Sequence, residues 1–179
     1  MPFSYGGGIH KLEEIEKLIK SGVERIILNT AIFENPDFVS QAINAFGSST
    51  IIASVDIKND IYGRKRIYHK KKNKLLKTNY KQFITEVVSL GVGEILLQTT
   101  YNDGIMSGYD IDLIKDITNE LPIPITAVGG AGSLNDIKNL IKNTEVCGAA
   151  AGSLFVYHGT RKAFLINYPN TEEKQKLYV

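Results

Sequence analysis

Residues 125–133 read Ile-Thr-Ala-Val-Gly-Gly-Ala-Gly-Ser and lead straight into Leu-Asn-Asp-Ile-Lys-Asn-Leu-Ile. Four apolar or β-branched residues after Pro122 and Pro124 predict a short buried strand, after which the glycines let the backbone turn sharply and present bare N–H groups. Ser133 and Asp136 form a capping box, and Leu134, Ile137, Leu140 and Ile141 share one face of the helix that follows. Strand, glycine turn and helix N-terminus together suit an anion, with phosphate the first candidate. A lone glycine cluster is equally compatible with a tight βα turn that binds nothing.

The same unit occurs twice. Residues 1–18 begin Met-Pro-Phe-Ser-Tyr-Gly-Gly-Gly-Ile-His and continue into a helix with Leu12, Ile15, Leu18 and Ile19 on its apolar side. Another short strand follows each copy: Arg-Ile-Ile-Leu-Asn-Thr at 25–30 and Cys-Gly-Ala-Ala-Ala-Gly-Ser at 147–153. The two halves read as copies of one ancestor.

Taken in order, the pattern alternates. A strand stub at 3–5 precedes a helix over 11–21 closed by Gly22; a strand at 25–28 precedes a helix capped by Asn35 with Pro36 at its first position. A buried strand at 51–55 delivers Asp56 at its end. The rhythm then stops for a long basic excursion, 57–80, holding Arg64, Lys65, Arg66, Lys70, Lys71, Lys72, Lys74 and Lys77, with a small hairpin expected around 66–69. Helix 81–90, strand 94–98, a polar turn at Asn102, Asp103 and Gly104, a helix capped by Asp110 and strand 147–151 complete it; Phe155, Phe164, Leu165 and Ile166 of the tail are expected to bury.

Six βα units with short buried strands predict an α/β fold with a parallel sheet, and the duplication favours a (β/α)8 barrel lacking its first two units over an open doubly wound sheet. A single domain spanning residues 1–179 is the expected organisation, with the absent units placed before Met1. In such a barrel Asn29, Asp56, Asp103, Gly130 and Ser153 would all lie at the C-terminal ends of strands.

Net charge is only +2, which gives no case for nucleic acid or an anionic membrane; the basic run 64–77 reads as a solvated or phosphate-facing loop. The single cysteine, Cys147, expected in an apolar strand, excludes an internal disulfide and a cysteine-based metal site. No apolar run approaches the roughly 20 residues that span a bilayer, and a cytoplasmic location is expected.

Several motifs in order carry a resemblance: Gly-Gly-Gly-Ile-His at 6–10, Asn-Thr-Ala and Glu-Asn-Pro within 29–36, Val-Asp-Ile-Lys at 55–58, Gly-Glu-Ile-Leu-Leu at 93–97, Asp-Gly and Ser-Gly-Tyr-Asp within 103–110, and Gly-Gly-Ala-Gly at 129–132. Together they resemble the HisF family, the cyclase subunit of imidazole glycerol phosphate synthase, from its third strand to its eighth. The resemblance implies a barrel that takes ammonia from a glutaminase partner and adds it to a bis-phosphorylated substrate, with no metal or cofactor. It implies that Asp56 is one of two catalytic aspartates, the strand-one partner having no counterpart here. One phosphate would sit around Gly8, Asn29 and Thr30, the other around Asp103, Gly104, Gly130, Gly152 and Ser153. Arg25 and Glu94 resemble the charged gate through which ammonia enters. Read without the resemblance, Asp56 could as well pair with Lys58, and Arg25 and Glu94 could form an ordinary surface ion pair.

Three departures separate this sequence from the family pattern. Tyr-His-Lys-Lys-Lys-Asn-Lys at 68–74 replaces a glycine-rich stretch, Gln98 and Tyr101 replace a threonine and an aspartate, and Val128 replaces a serine. The tail at 154–169 resembles a paralogous branch associated with surface polysaccharide, which uses glutaminase-derived ammonia to form an acetamidino group on a nucleotide sugar. The shortened start also implies that the chain alone lacks synthase activity, and leaves open an inactive fragment that only binds a ligand or partner.

Overall fold

In the computed structural model, which describes residues 2–158 and 163–178, the chain divides into two units between residues 96 and 97. The first contains β1 (Ser4–Gly6), α1 (Leu12–Lys20), β2 (Arg25–Leu28), α2 (Thr30–Glu34), α3 (Pro36–Phe46) and β3 (Ile51–Asn59). β1 runs parallel to β2 and β2 to β3, with Ser4 opposite Arg25 and Ile26 opposite Ile51. Residues 51–57 are buried without interruption, as in a parallel strand covered on both faces. β1 is exposed along its length. Asn35 caps α3 by accepting the Phe38 N–H at 3.1 Å, and Pro36 occupies the first position, where its missing N–H leaves no hydrogen bond unmade. The short α2 is an addition to the expected elements; five residues carry too little periodicity to announce a helix, and burial of Ala31 and Ile32 anchors it.

The expected end of the third strand shifts. β3 continues past Val55 because its far end finds an antiparallel partner in β4 (Lys65–His69), Ile57 opposite Ile67 and Asn59 opposite Lys65, and β4 pairs in turn with β5 (Lys74–Leu75). Asp56 therefore lies within the strand instead of at its end. The basic excursion is an ordered hairpin whose charges are compensated by particular partners. Glu34 takes Lys71 at 2.7 Å and Lys72 at 3.7 Å, and Asp60 takes Arg64 at 2.7 Å and Arg66 at 3.4 Å. His69 is buried and stacks on Phe33, which stacks on Phe83; neither of its ring nitrogens has a hydrogen-bond partner among the described residues.

Burial opposes ionisation of Asp60, but the Arg64 backbone N–H and guanidinium, the Tyr62 N–H and Arg66 outweigh it and hold the carboxyl down at about 2. An unfolded aspartate titrates near 4. Asp60 thus favours the fold above that value, and its contribution disappears as pH falls from about 4 to about 2. Amide exchange at 60–66 is expected to accelerate over that interval, with Asp60→Asn exchanging fast throughout; a native hairpin indifferent to acid would contradict this.

Asn79 caps α4 (Tyr80–Ser89), which buries Phe83, Ile84 and Val87, and the Gly93 N–H donates to Ile51 O at 3.0 Å, setting the start of β6 (Glu94–Thr99) beside β3. In the second unit the Thr99 hydroxyl at the end of β6 donates to Gly129 O at 3.2 Å, just past β7 (Ile125–Val128). Asp110 caps α5 (Ile111–Thr118), Ser133 caps α6 (Leu134–Asn143), and β7 lies parallel to β8 (Gly148–Ala150), Thr126 opposite Gly148. The unit closes with α7 (Ser153–Val156), an antiparallel pair β9 (Tyr157–His158) and β10 (Ala163–Phe164), and α8 (Thr171–Gln175).

Two expectations for this unit are corrected. Cys147 is exposed and precedes β8 instead of lying in it. The tail's apolar residues do not enter a core: Phe164 and Ile166 are 81% and 88% exposed, and Leu165 is exposed as well. Its aromatic rings pack on one another instead, Tyr157 on Phe164 and Phe155 on Tyr168. Residues 159–162 of the tail motif lie outside the described residues. Six parallel strands, β1, β2, β3, β6, β7 and β8, alternate with helices, an α/β fold of the (β/α)8 type with six units. No helix among the described residues is long and apolar enough to cross a membrane.

Candidate active site

Both glycine turns are built on one plan, down to how each following helix is capped. Ahead of α1 the Glu14 carboxylate accepts the His10 and Lys11 N–H groups at 2.7 and 3.0 Å, and these bonds, the His10 one foremost, lower its pKa. Ahead of α6 the Asp136 carboxylate accepts the Gly132 and Ser133 N–H groups at 3.0 and 2.8 Å. These contacts refine the expectation drawn from sequence. The amides just ahead of each helix already hold an internal carboxylate, so an external anion is left with those of the preceding glycines and of the first helical turn.

In the first unit Gly8 (φ +70°) sits where a Cβ would meet nothing within 4 Å, leaving its backbone open to an approaching ligand. Asn29 stands at the start of α2 without capping it; its amide donates to Ser54 O at 2.9 Å and also hydrogen-bonds Asp56. Thr30 is the first residue of α2. Asp56 is only 2% exposed. Burial pushes its carboxyl above the ordinary aspartate range, against the opposing pull of the Lys70 ammonium and the Asn29 hydrogen bond. Lys58, the alternative partner on β3, lies over the Tyr68 ring instead, 4.8 Å from its centroid.

In the second unit Asp103, Gly104, Gly130, Gly152 and Ser153 line one cleft, together with Gly129, Ala131 and Ala151. The cleft is small and partly open to solvent. The Gln98 amide donates to the Asp103 carboxylate at 3.3 Å. Tyr101, the second departure, donates its hydroxyl to Asp110, the α5 cap. Nearby, Tyr109 donates to Ala150 O at 2.8 Å, and its burial pushes the phenol up to about 12.

Arg25 and Glu94 form an ion pair, with Arg25 half exposed and Glu94 largely covered. No group of three metal-ligating side chains occurs among the described residues. Sequence reading counted Lys70 as one lysine in a run and passed over its charge, which pulls against the raised Asp56 carboxyl.

The alternating strands and helices, the two matched glycine turns and the buried strand aspartate define a (β/α)8-type protein with two glycine-rich βα turns. Comparison with known proteins places it in a family. A family profile described as "Histidine biosynthesis protein" matches residues 1–162. The chain is 41% identical over 177 residues to the Vibrio vulnificus protein named "Putative imidazole glycerol phosphate synthase subunit hisF3", covering 98% of this chain and 68% of that protein. It is 43% identical over 180 residues to a similarly named HisF of Leptospira borgpetersenii, covering 99% and 70%. Against "Imidazole glycerol phosphate synthase subunit HisF" of Dictyoglomus thermophilum it is 37% identical over 155 residues, covering 87% and 61%. The chain belongs to the histidine biosynthesis protein family, and within it to the HisF type.

Proposed function

We propose that the protein is a HisF-type synthase subunit that transfers nitrogen from a glutaminase partner to a phosphorylated small molecule. The observation that carries this reading is the buried Asp56 carboxyl, raised above the ordinary aspartate range by burial, which suits it to exchange protons with an adding amine. The turns around Gly8, Asn29 and Thr30 in one unit and around Asp103, Gly104, Gly130, Gly152 and Ser153 in the other are assigned to phosphate. Arg25 and Glu94 are assigned to the ammonia entrance.

The departures at Gln98, Tyr101 and Val128, together with the tail, favour a nucleotide sugar as acceptor and an acetamidino sugar as product. The second reading is imidazole glycerol phosphate synthesis, supported by the names of relatives such as the Dictyoglomus protein. Isotopic detection is the fitting readout for such a transfer. The chain is combined with a HisH-type glutaminase, glutamine labelled with 15N in the amide, and each candidate acceptor in turn. Label in an amidine on the nucleotide sugar is the expected result. Label in imidazole glycerol phosphate would establish the second reading. Absence of label in either, while the glutaminase consumes glutamine, would overturn both.

A further inference from the structure

Lys138, Ile141 and Lys142 stand at positions i, i+3 and i+4 of α6, a stripe beside the buried Ile137 and Leu140. Together with Leu177 and Tyr178 they line a cavity of about 320 Å³ that is open on one side. That size and a lining of apolar side chains with a few polar groups are usual for small-molecule pockets. The wall opposite α6 is an ordered one. Asn170 and Glu173 close a capping box at the start of α8, and the helical turn continues past its end, the Leu177 N–H donating to Lys174 O at 3.1 Å and the Tyr178 N–H to Gln175 O at 3.3 Å. No residue of α8 is buried, Leu177 is only partly covered and Tyr178 is 76% exposed. The segment thus presents two large side chains to the cavity without burying them in a core.

The two lysines stand apart from others in the chain. Lys20 pairs with Glu16 and Lys71 with Glu34, and Lys58 and Lys174 lie over tyrosine rings. Lys138 and Lys142 have neither an acidic nor an aromatic partner among the described residues. One helical turn apart, their ammonium groups can converge on a single anionic group while Ile141, Leu177 and the Tyr178 ring contact an apolar body. We propose that this cavity is a ligand site for a small organic carboxylate with an aromatic or short aliphatic body. It shares no residue with Asp56 or the glycine turns, so it stands or falls independently of the nitrogen-transfer reading.

The test follows the Ile141 and Leu177 methyl groups of the full chain by NMR as 4-phenylbutyrate, 4-phenylbutanol or acetate is added. Saturable shifts at both methyls are expected with the acid, and none with acetate over the same concentrations. The alcohol should bind about three- to tenfold more weakly than the acid, the usual worth of two solvent-facing ion pairs. Lys138→Met combined with Lys142→Met should lower the acid to the affinity of the alcohol, whereas Lys17→Met on α1 should leave the preference in place. Added salt should weaken the acid and not the alcohol. Leu177→Ala should weaken both. Equal affinity for acid and alcohol, a double variant that keeps the preference, or shifts at the exposed Leu165 and Ile166 in place of Ile141 and Leu177 would overturn the proposal.

Discussion

Asp56→Asn is expected to make the protein more stable at neutral pH while removing nitrogen transfer. The sign follows from the raised carboxyl of the native state. Unfolded, this aspartate titrates near the ordinary value of about 4; folded, it titrates higher. Between the two values the native chain keeps a proton that the unfolded chain has released, so stability falls as pH rises through that window. Above it the full cost of burying the charge is present. Asparagine keeps the shape and an acceptor for Asn29 without the charge. The variant should therefore unfold at a higher temperature than the native chain at pH 7, and at nearly the same temperature below pH 4. Transfer of 15N label should drop by on the order of 10²- to 10⁴-fold, the usual worth of a positioned acid–base group. A variant less stable at pH 7, or one that retains label transfer, would contradict the role given to Asp56.

Gly130→Ala has the largest expected cost to folding. At φ +106° the backbone is in a region that side chains rarely adopt, and a Cβ would lie 2.1 Å from Gly108 O and 2.8 Å from its carbonyl carbon. That backbone cannot step aside cheaply, because the Gly108 N–H donates to Gly130 O at 2.8 Å and the Asn102 amide holds Gly108 O at 3.3 Å. Strain and overpacking together put the loss at about 3 kcal/mol or more. Gly8→Ala, whose Cβ meets open space, should cost only about 1 kcal/mol, from the left-handed backbone alone. Denaturant unfolding of the two variants measures the contrast, and equal losses would refute the packing account.

The features legible in the sequence were those with local causes. Asn35, Asp110 and Ser133 cap the helices assigned to them, and the parallel strands fall where apolar runs end in turn residues. The features missed depend on partners far along the chain. β3 is lengthened by β4, whose register no local pattern fixes, and that lengthening moves Asp56 into the strand. The glycine turns were readable as anion sites, yet two amides in each belong to Glu14 or Asp136, because a capping box uses the same N–H groups that an anion would. The tail looked like core because its residues are apolar; its rings satisfy one another locally, and the aliphatic side chains between them stay in solvent.

The most direct test of phosphate binding by the glycine turns is to follow backbone amides by 15N NMR as inorganic phosphate is added. The account predicts saturable shifts at Gly8, Gly130 and Ser153, and little change at His10, Lys11, Gly132 and Ser133, whose N–H groups are already bonded to Glu14 or Asp136. Shifts confined to the lysines and arginines of 64–77, with Gly8 and Gly130 unmoved, would contradict it.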